Sequence, residues 1–152
     1  MTVRSPYAEG LRAFESGLLD EAQIRFTEAA LDPAVAPAAL SKRGVCKVLR
    51  GDRDGARADF EAALERNPRC AQALVNLGNL AQEAGDDDEA RRRYLAAIAA
   101  EPEYPPAHHN LGVLYRKMGR MDESVRELRH AGRLEARPRA LMERFKAFFR
   151  RA

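Results

Sequence analysis

The chain has 152 residues, 45% apolar and 32% charged, a balance that supports one domain with a substantial core and excludes a disordered chain. Its net charge of +3 hides an asymmetry: residues 1–104 hold 14 basic and 18 acidic side chains, a net of −4, and residues 105–152 hold 12 and 5, a net of +7. No apolar run approaches the roughly 18 residues of a membrane span, no basic-then-apolar leader precedes the first helix, and two cysteines without CxxC spacing indicate no disulfide framework, so the expectation is a cytoplasmic protein with reduced thiols.

In chain order, Ser5-Pro6 offers a cap and a first-turn proline to a helix that Gly17 ends. Asp20 is the expected cap of a second helix through Leu31, which Asp32-Pro33 stops. A second pair is expected near Ala38 to Arg50 and Arg53 to Arg66, broken at Gly51 and ended at Asn67-Pro68. A third unit covers residues 71–104. The fourth, residues 105–138, turns at Met118-Gly119-Arg120 and carries its second helix from about Asp122 to Arg133. A last amphipathic segment, residues 139–151, completes the chain. All eight prolines lie at expected element boundaries and no stretch sustains period-two alternation, so the expected fold class is all-α.

The units share one skeleton, repeated at a constant step. Leu77-Gly78, Gly85, Ala90, Tyr94 and Ala97 return one step on as Leu111-Gly112, Gly119, Ser124, Leu128 and Ala131. One step back gives Gly44, Gly51, Ala56, Phe60 and Ala63, and another gives Gly10, Gly17, Ala22, Phe26 and Ala29. Such a period marks a repeat architecture in which each unit buries its apolar face only against its neighbours. Gly10, Gly44, Gly78 and Gly112 fall in mid-helix, where glycine costs about 1 kcal/mol relative to alanine. The expected compensation is close approach of the paired helix across its small positions, such as Ala22/Ala29 and Ala90/Ala97, with Phe26, Phe60, Tyr94 and Leu128 as the large knobs between them.

On these residues the chain resembles the tetratricopeptide repeat family, most closely in residues 71–104 with Leu74, Leu77-Gly78, Ala90-x3-Tyr94 and Pro102; the likeness spreads over most of the chain. It departs at Pro6 and His108, where a large apolar residue is usual, at Pro33, one place early, and at Ala136, where the proline is missing. The resemblance implies one domain, a right-handed helical solenoid of four helix pairs (residues 3–36, 37–70, 71–104 and 105–138) plus a C-terminal capping helix at 139–151. It also implies a non-catalytic scaffold that receives an extended peptide or a partner's helix on the concave face, lined by the first helix of each unit.

That face is expected to carry Tyr7, Leu11 and Phe14 from unit one, Ser41, Lys42 and Val45 from unit two, and Gln72, Val75, Asn76 and Asn79 from unit three. Unit four adds His109, Asn110, Val113, Arg116 and Lys117, with Arg144 beyond, so the groove grades from apolar through amide-rich to basic. Asn76 and Asn110 resemble the asparagines with which related repeats hold a ligand's backbone, since an amide both donates and accepts. Of the family's carboxylate-clamp pattern only Asn79, Asn110 and Arg144 match, with Val75 and Ala140 where lysines belong. The expected partner is a protein segment, acidic where it meets the basic end; a homo-oligomer is the alternative.

Other chemistries are less well supported. The basic last third lacks aromatics interleaved with its arginines, which argues against nucleic acid. His108-His109 has no completing ligands for a metal, no cofactor is expected, and no nucleophile or phosphate-loop motif points to an enzyme. Asp86 to Arg93 is expected to be a solvated helix start, with pairs Asp87–Arg91, Asp88–Arg92 and Glu89–Arg93. In residues 139–151 the stripe Leu141, Met142, Phe145, Phe148 and Phe149 falls one repeat step beyond the first helix of unit four. A solenoid cap is favoured there over membrane docking.

Overall fold

A computed structural model describes the backbone of residues 5–150 and the side chains of residues 5–137. The first two pairs are α1 (Pro6–Glu15) with α2 (Leu19–Ala29) and α3 (Ala36–Leu49) with α4 (Arg53–Arg66). The last two are α5 (Ala71–Glu83) with α6 (Asp87–Ala100) and α7 (Pro105–Lys117) with α8 (Met121–Arg150). There is no strand among the described residues, and no helix is long and apolar enough to cross a membrane.

Every pair is closed by the same turn. Gly17, Gly51, Gly85 and Gly119 all adopt positive φ, between 75° and 85°, which an L side chain resists. The reversal lets the next residue donate back five residues (Leu18 N to Ala13 O at 2.9 Å, Asp86 N to Ala81 O at 2.9 Å), while the glycine N–H reaches the carbonyl three back; both bonds satisfy carbonyls the helix end leaves open. The second helix then starts at once. Asp52 and Asp86 cap α4 and α6, accepting from Gly55 N at 2.9 Å and Glu89 N at 3.0 Å. The equivalent place in the first pair is Leu18, so Asp20 does not cap α2 as expected; it sits in the first turn and pairs with Arg50 of the next unit. Ser5 holds the N-cap position of α1, but its side chain makes no cap bond.

The mid-helix glycines meet the paired helix at its large knobs. A methyl added at Gly44 would lie 2.5 Å from Cε1 of Phe60, at Gly78 2.5 Å from Cε1 of Tyr94, and at Gly10 2.7 Å from Cε1 of Phe26. The glycine thus makes room for the large ring that the paired helix presents between its small alanines. Phe26, Phe60 and Tyr94 are each essentially fully buried in consequence. In the last pair Leu128 fills this place against Gly112 and stays half-buried.

The pairs stack in chain order. Each second helix receives the next first helix: Ala73, Leu77 and Leu80 of α5 join the cluster of Ala56, Phe60 and Ala63 of α4, and Ala107, Leu111 and Leu114 of α7 join that of Ala90, Tyr94 and Ala97 of α6. On the turn edge an ion pair crosses each junction, Asp20–Arg50, Arg53–Glu83 and Asp87–Lys117. The first helices α3, α5 and α7 touch one another in sequence, whereas no comparable contact joins α2 to α4 or α4 to α6. The stack therefore curves toward its first helices, which line the concave side.

Two local expectations are corrected. Of the three ion pairs foreseen at the start of α6 only Glu89–Arg93 forms, at 2.6 Å; Arg92 also turns to Glu89, Arg91 lies 3.5 Å from Asp88, and Asp87 is taken by Lys117 of the next pair. The second correction concerns the end of the chain. No boundary falls at Pro138; α8 runs on to Arg150, so residues 139–150 continue it and do not form a separate helix. Earlier second helices are followed by Asp32-Pro33, Asn67-Pro68 and Glu101-Pro102; at the first two the side chain also accepts from the N–H two residues on, at 2.9 and 3.0 Å. At the place of Asn67-Pro68 the last pair has Glu135-Ala136, with no proline. Pro138 forfeits one backbone bond without redirecting the chain.

Candidate functional site

The concave face brings together most of the expected residues, but several are already engaged. At its first-pair end Tyr7 packs 5.8 Å from the Phe26 ring, Leu11 and Phe14 are half-buried beside it, and Lys42 Nζ lies 5.8 Å above Phe14. Burial raises the Tyr7 hydroxyl above its ordinary pKa, with the charge of Cys70 adding to it. Ser41 and Val75 do not line the face. Ser41 is fully buried, its Oγ donating to Pro37 O at 2.8 Å, and Val75 belongs to the core of the α5–α7 junction. Helix positions that alternate with the buried stripe are buried too when neighbouring first helices lean together.

In the middle of the face an amide network holds two of the expected hooks. Asn110 Nδ2 donates to Asn79 Oδ1 at 2.8 Å, bridging α7 to α5, and the same oxygen lies 2.7 Å from the Tyr94 hydroxyl, which also lies 3.0 Å from Gln82 Oε1. Tyr94 is a core ring with a polar tip that must find a partner, and Asn79 is that partner. Burial first, and the Asp87 charge second, push the Tyr94 pKa up to about 12. Asn76 and Gln72 are half-buried and make no side-chain hydrogen bond among the described residues, so their amides are uncommitted. Val45 and Val113 are half-buried, and His109 and Arg116 exposed. Lys117 is held 2.7 Å from Asp87, which removes it from the free basic end. The Arg144 side chain lies outside the described residues.

Sequence reasoning overlooked the loops. A cavity of about 490 Å³ opens where the starts of α3 and α5 meet, lined by Pro37, Ala38, Lys42 and Gln72 and by Arg69, Cys70 and Tyr104 from the connections between pairs. Cys70 and Tyr104 stand one repeat step apart, so the step was the available signal. Burial raises Tyr104 above the ordinary tyrosine pKa, helped by the charges of Glu101 and Cys70.

Two polar clusters behind the groove were also missed. Asp59, 4% exposed, receives Arg43 through two bonds of 2.9 and 2.6 Å and Lys47 at 3.0 Å, while Arg43 also reaches Thr27 at 3.0 Å; the cluster ties α2, α3 and α4. His108 is buried, with Nδ1 2.6 Å from Glu127 and Nε2 2.7 Å from Pro102 O, and His130 meets its ring edge-on. The His108-His109 pair thus divides into one core and one surface histidine. No group of His, Cys, Asp or Glu suited to a metal occurs among the described residues.

No curated protein matches the sequence as a relative. Among solved structures the chain is similar to MamA, at 21% identity over 89% of this chain and 79% of that one, with a TM-score of 0.68. It is also similar to PilF of Pseudomonas aeruginosa, at 22% identity over 85% and 59% with a TM-score of 0.72, and to a tetratricopeptide repeat protein of Parabacteroides merdae ATCC 43184, at 20% over 82% and 50% with 0.63. At such identities the likeness is one of fold. Profiles described as tetratricopeptide repeat match residues 48–91 and 105–136, and one described as TPR repeat matches 83–119, a continuous span over more than half of the chain. With four helix pairs in one constant register behind those matches, the chain belongs to the tetratricopeptide repeat family, whose units are non-catalytic modules of protein–protein interaction.

Proposed function

We propose that this interaction module is an assembly scaffold that associates with copies of itself through its terminal pairs. The observation that carries the reading is where large apolar side chains are left uncovered. Among the described residues five of the seven lie in or beside the terminal pairs, Leu18, Ile24 and Leu31 around α2 and Met121 and Val125 on α8, against Leu49 on α3 and Leu95 on α6. Of the inner second helices, α4 exposes none among the described residues and α6 only Leu95. Exposed apolar surface concentrated this way marks contact sites. A second copy is favoured as the partner because both terminal pairs of one chain carry such surface. Sedimentation at two protein concentrations tests this. The expected result is an oligomer whose share grows with protein concentration; a monomer throughout refutes it.

A second reading keeps the concave face for another protein, and the 490 Å³ cavity with the uncommitted amides of Asn76 and Gln72 favours it. The occupant would be a short extended segment, apolar beside Tyr7 and Leu11 and acidic beside Lys42 and Arg116. Probed with an array of random acidic and neutral peptides, the protein is expected to retain acidic ones at roughly micromolar affinity, and Asn76→Ala with Gln72→Ala to lose them. Equal retention by the variant would remove the groove from consideration.

A further inference from the structure

Within the stack, the second and third junctions are filled in the same way, and the first differs by one charged residue. The first helix of the following pair presents a triplet at i, i+4 and i+7: Ala39, Arg43 and Cys46 on α3, Ala73, Leu77 and Leu80 on α5, Ala107, Leu111 and Leu114 on α7. Its receiving surface is the preceding second helix, where Ala30, Leu64 and Ile98 occupy equivalent places and pack against the neighbouring clusters. One step further, on α8, that place is Gly132, and a methyl built there meets nothing within 4 Å. Met121, Val125, Leu128 and Gly132 stand at i, i+4, i+7 and i+11, so they share one face. Met121 and Val125 are exposed and Leu128 is half-buried. At the inner second helices the places of Met121 and Val125 hold Arg53 and Arg57 or Asp87 and Arg91, so the outer face of α8 is more apolar at its start than theirs, and no first helix lies on it among the described residues.

The sequence contains a matching triplet. One repeat step beyond Ala107, Leu111 and Leu114 stand Leu141, Phe145 and Phe148, which are apolar in all three places. To reach the α8 face of its own chain this segment would have to reverse direction after residue 137. Instead α8 continues to Arg150, carrying residues 139–150 about 18 Å along its axis at 1.5 Å per residue. A helix cannot lie alongside itself.

We infer that the receiving face of α8 is filled by residues 139–150 of a second copy, in a reciprocal exchange that gives a two-fold dimer. The inference rests on the self-association proposed above and names its interface. Reciprocity follows from the geometry: each copy has one vacant face and one projecting helix, and a two-fold axis lets both be used at once, closing the assembly at two chains. The occupant is specified by chemistry as well as by register. At the α4–α5 and α6–α7 junctions the docked helix carries apolar residues at i, i+4 and i+7, as the sequence does at 141, 145 and 148.

The test uses the full chain and two variants, one on each side of the interface, followed by light scattering and a thermal melt. Wild type is expected to be a dimer, and Val125→Asp and Phe145→Asp each a monomer at the same concentration with the helical signal kept. Mixing the two variants is expected to restore dimers, because the Phe145→Asp chain still has an intact face and the Val125→Asp chain an intact helix. A dimer that survives both substitutions overturns the exchange while leaving self-association through another surface. Wild type that is monomeric at every concentration overturns both readings.

Discussion

The two ends of the stack solve the same problem in opposite ways. At the positions where inner first helices present Ala73, Leu77 and Leu80 or Ala107, Leu111 and Leu114 to the preceding pair, α1 has Ser5, Glu9 and Arg12. That end is finished by polar residues that water can satisfy, as a terminal repeat must be. At the other end α8 has apolar Met121 and Val125 where the inner second helices carry Arg53 and Arg57 or Asp87 and Arg91, and Gly132 where they carry Leu64 and Ile98. A solenoid stops growing where its face turns polar; the outer face of α1 meets that criterion and the outer face of α8 does not.

The largest effect is expected one junction in from the polar end. Glu9 and Arg25 lie 3.3 Å apart, and one repeat step on Arg43 and Asp59 form the same pair with the charges exchanged. The Arg25 and Glu9 side chains keep 36% and 26% of their surface exposed, but the Asp59 side chain is only 5% exposed and serves two cations. Asp59→Ala should cost about 3 kcal/mol, the low end for breaking a buried pair because Arg43 and Lys47 can turn partly to solvent. Glu9→Gln should leave the midpoint of a urea melt unmoved within error. Equal costs at the two sites would show that the junctions are no drier than the ends.

Next in size is overpacking of an inner pair. Gly78→Leu drives a side chain into the Tyr94 ring, already 2.5 Å from where a Cβ would sit, and should destabilise by about 1–3 kcal/mol or more. An unchanged melt would mean that the ring is free to leave its slot.

A third difference between inner and last pairs is sensitive to pH. Tyr94 titrates near 12 in the fold against 10.0 for a free tyrosine, whereas the last pair has Leu128 in the same place. A raised pKa means that the folded state holds the proton more tightly. The stabilisation is complete below pH 10 and drains as pH rises from 10 to 12, at about 1.4 kcal/mol per pH unit, because the unfolded chain ionises first. Tyr94→Phe should lose about 1 kcal/mol at neutral pH with the hydroxyl's hydrogen bond, and show a flatter alkaline decline. Identical alkaline slopes would assign the decline to Tyr7 and Tyr104, whose pKa values burial also raises.

Much of this was legible in the sequence because the repeat is periodic. The turn glycines, the knobs Phe26, Phe60 and Tyr94, and the order of helices all follow from the repeat step and backbone rules. What escaped was whatever depends on two side chains meeting across helices. Asn79 looked like an open hook, but its oxygen serves the Tyr94 hydroxyl and Asn110; Lys117 looked free, but Asp87 reaches it from the preceding pair. The end of α8 escaped for a different reason. Pro138 reads as a boundary, yet the inner second helices stop at Asp32-Pro33, Asn67-Pro68 and Glu101-Pro102, and the last pair has Glu135-Ala136 with no proline at that place.

The smallest predicted effect bears directly on the open end. Gly132 lies inside α8, where a glycine costs the helix about 0.5–1 kcal/mol in backbone entropy relative to alanine. At Gly78 that cost is offset by the ring it admits; at Gly132 a methyl meets nothing within 4 Å, so no packing gain offsets it. Gly132→Ala should therefore stabilise by about 0.5–1 kcal/mol, opposite in sign to the effect of filling Gly78. Leu64 and Ile98 occupy the same place at the inner junctions, so a methyl there is also compatible with a helix docked on the face. If Gly132→Ala instead lowered the melting temperature, the face of α8 would have to be closely covered by something that leaves no room for a methyl group, and the contrast between a finished and an open end would fail.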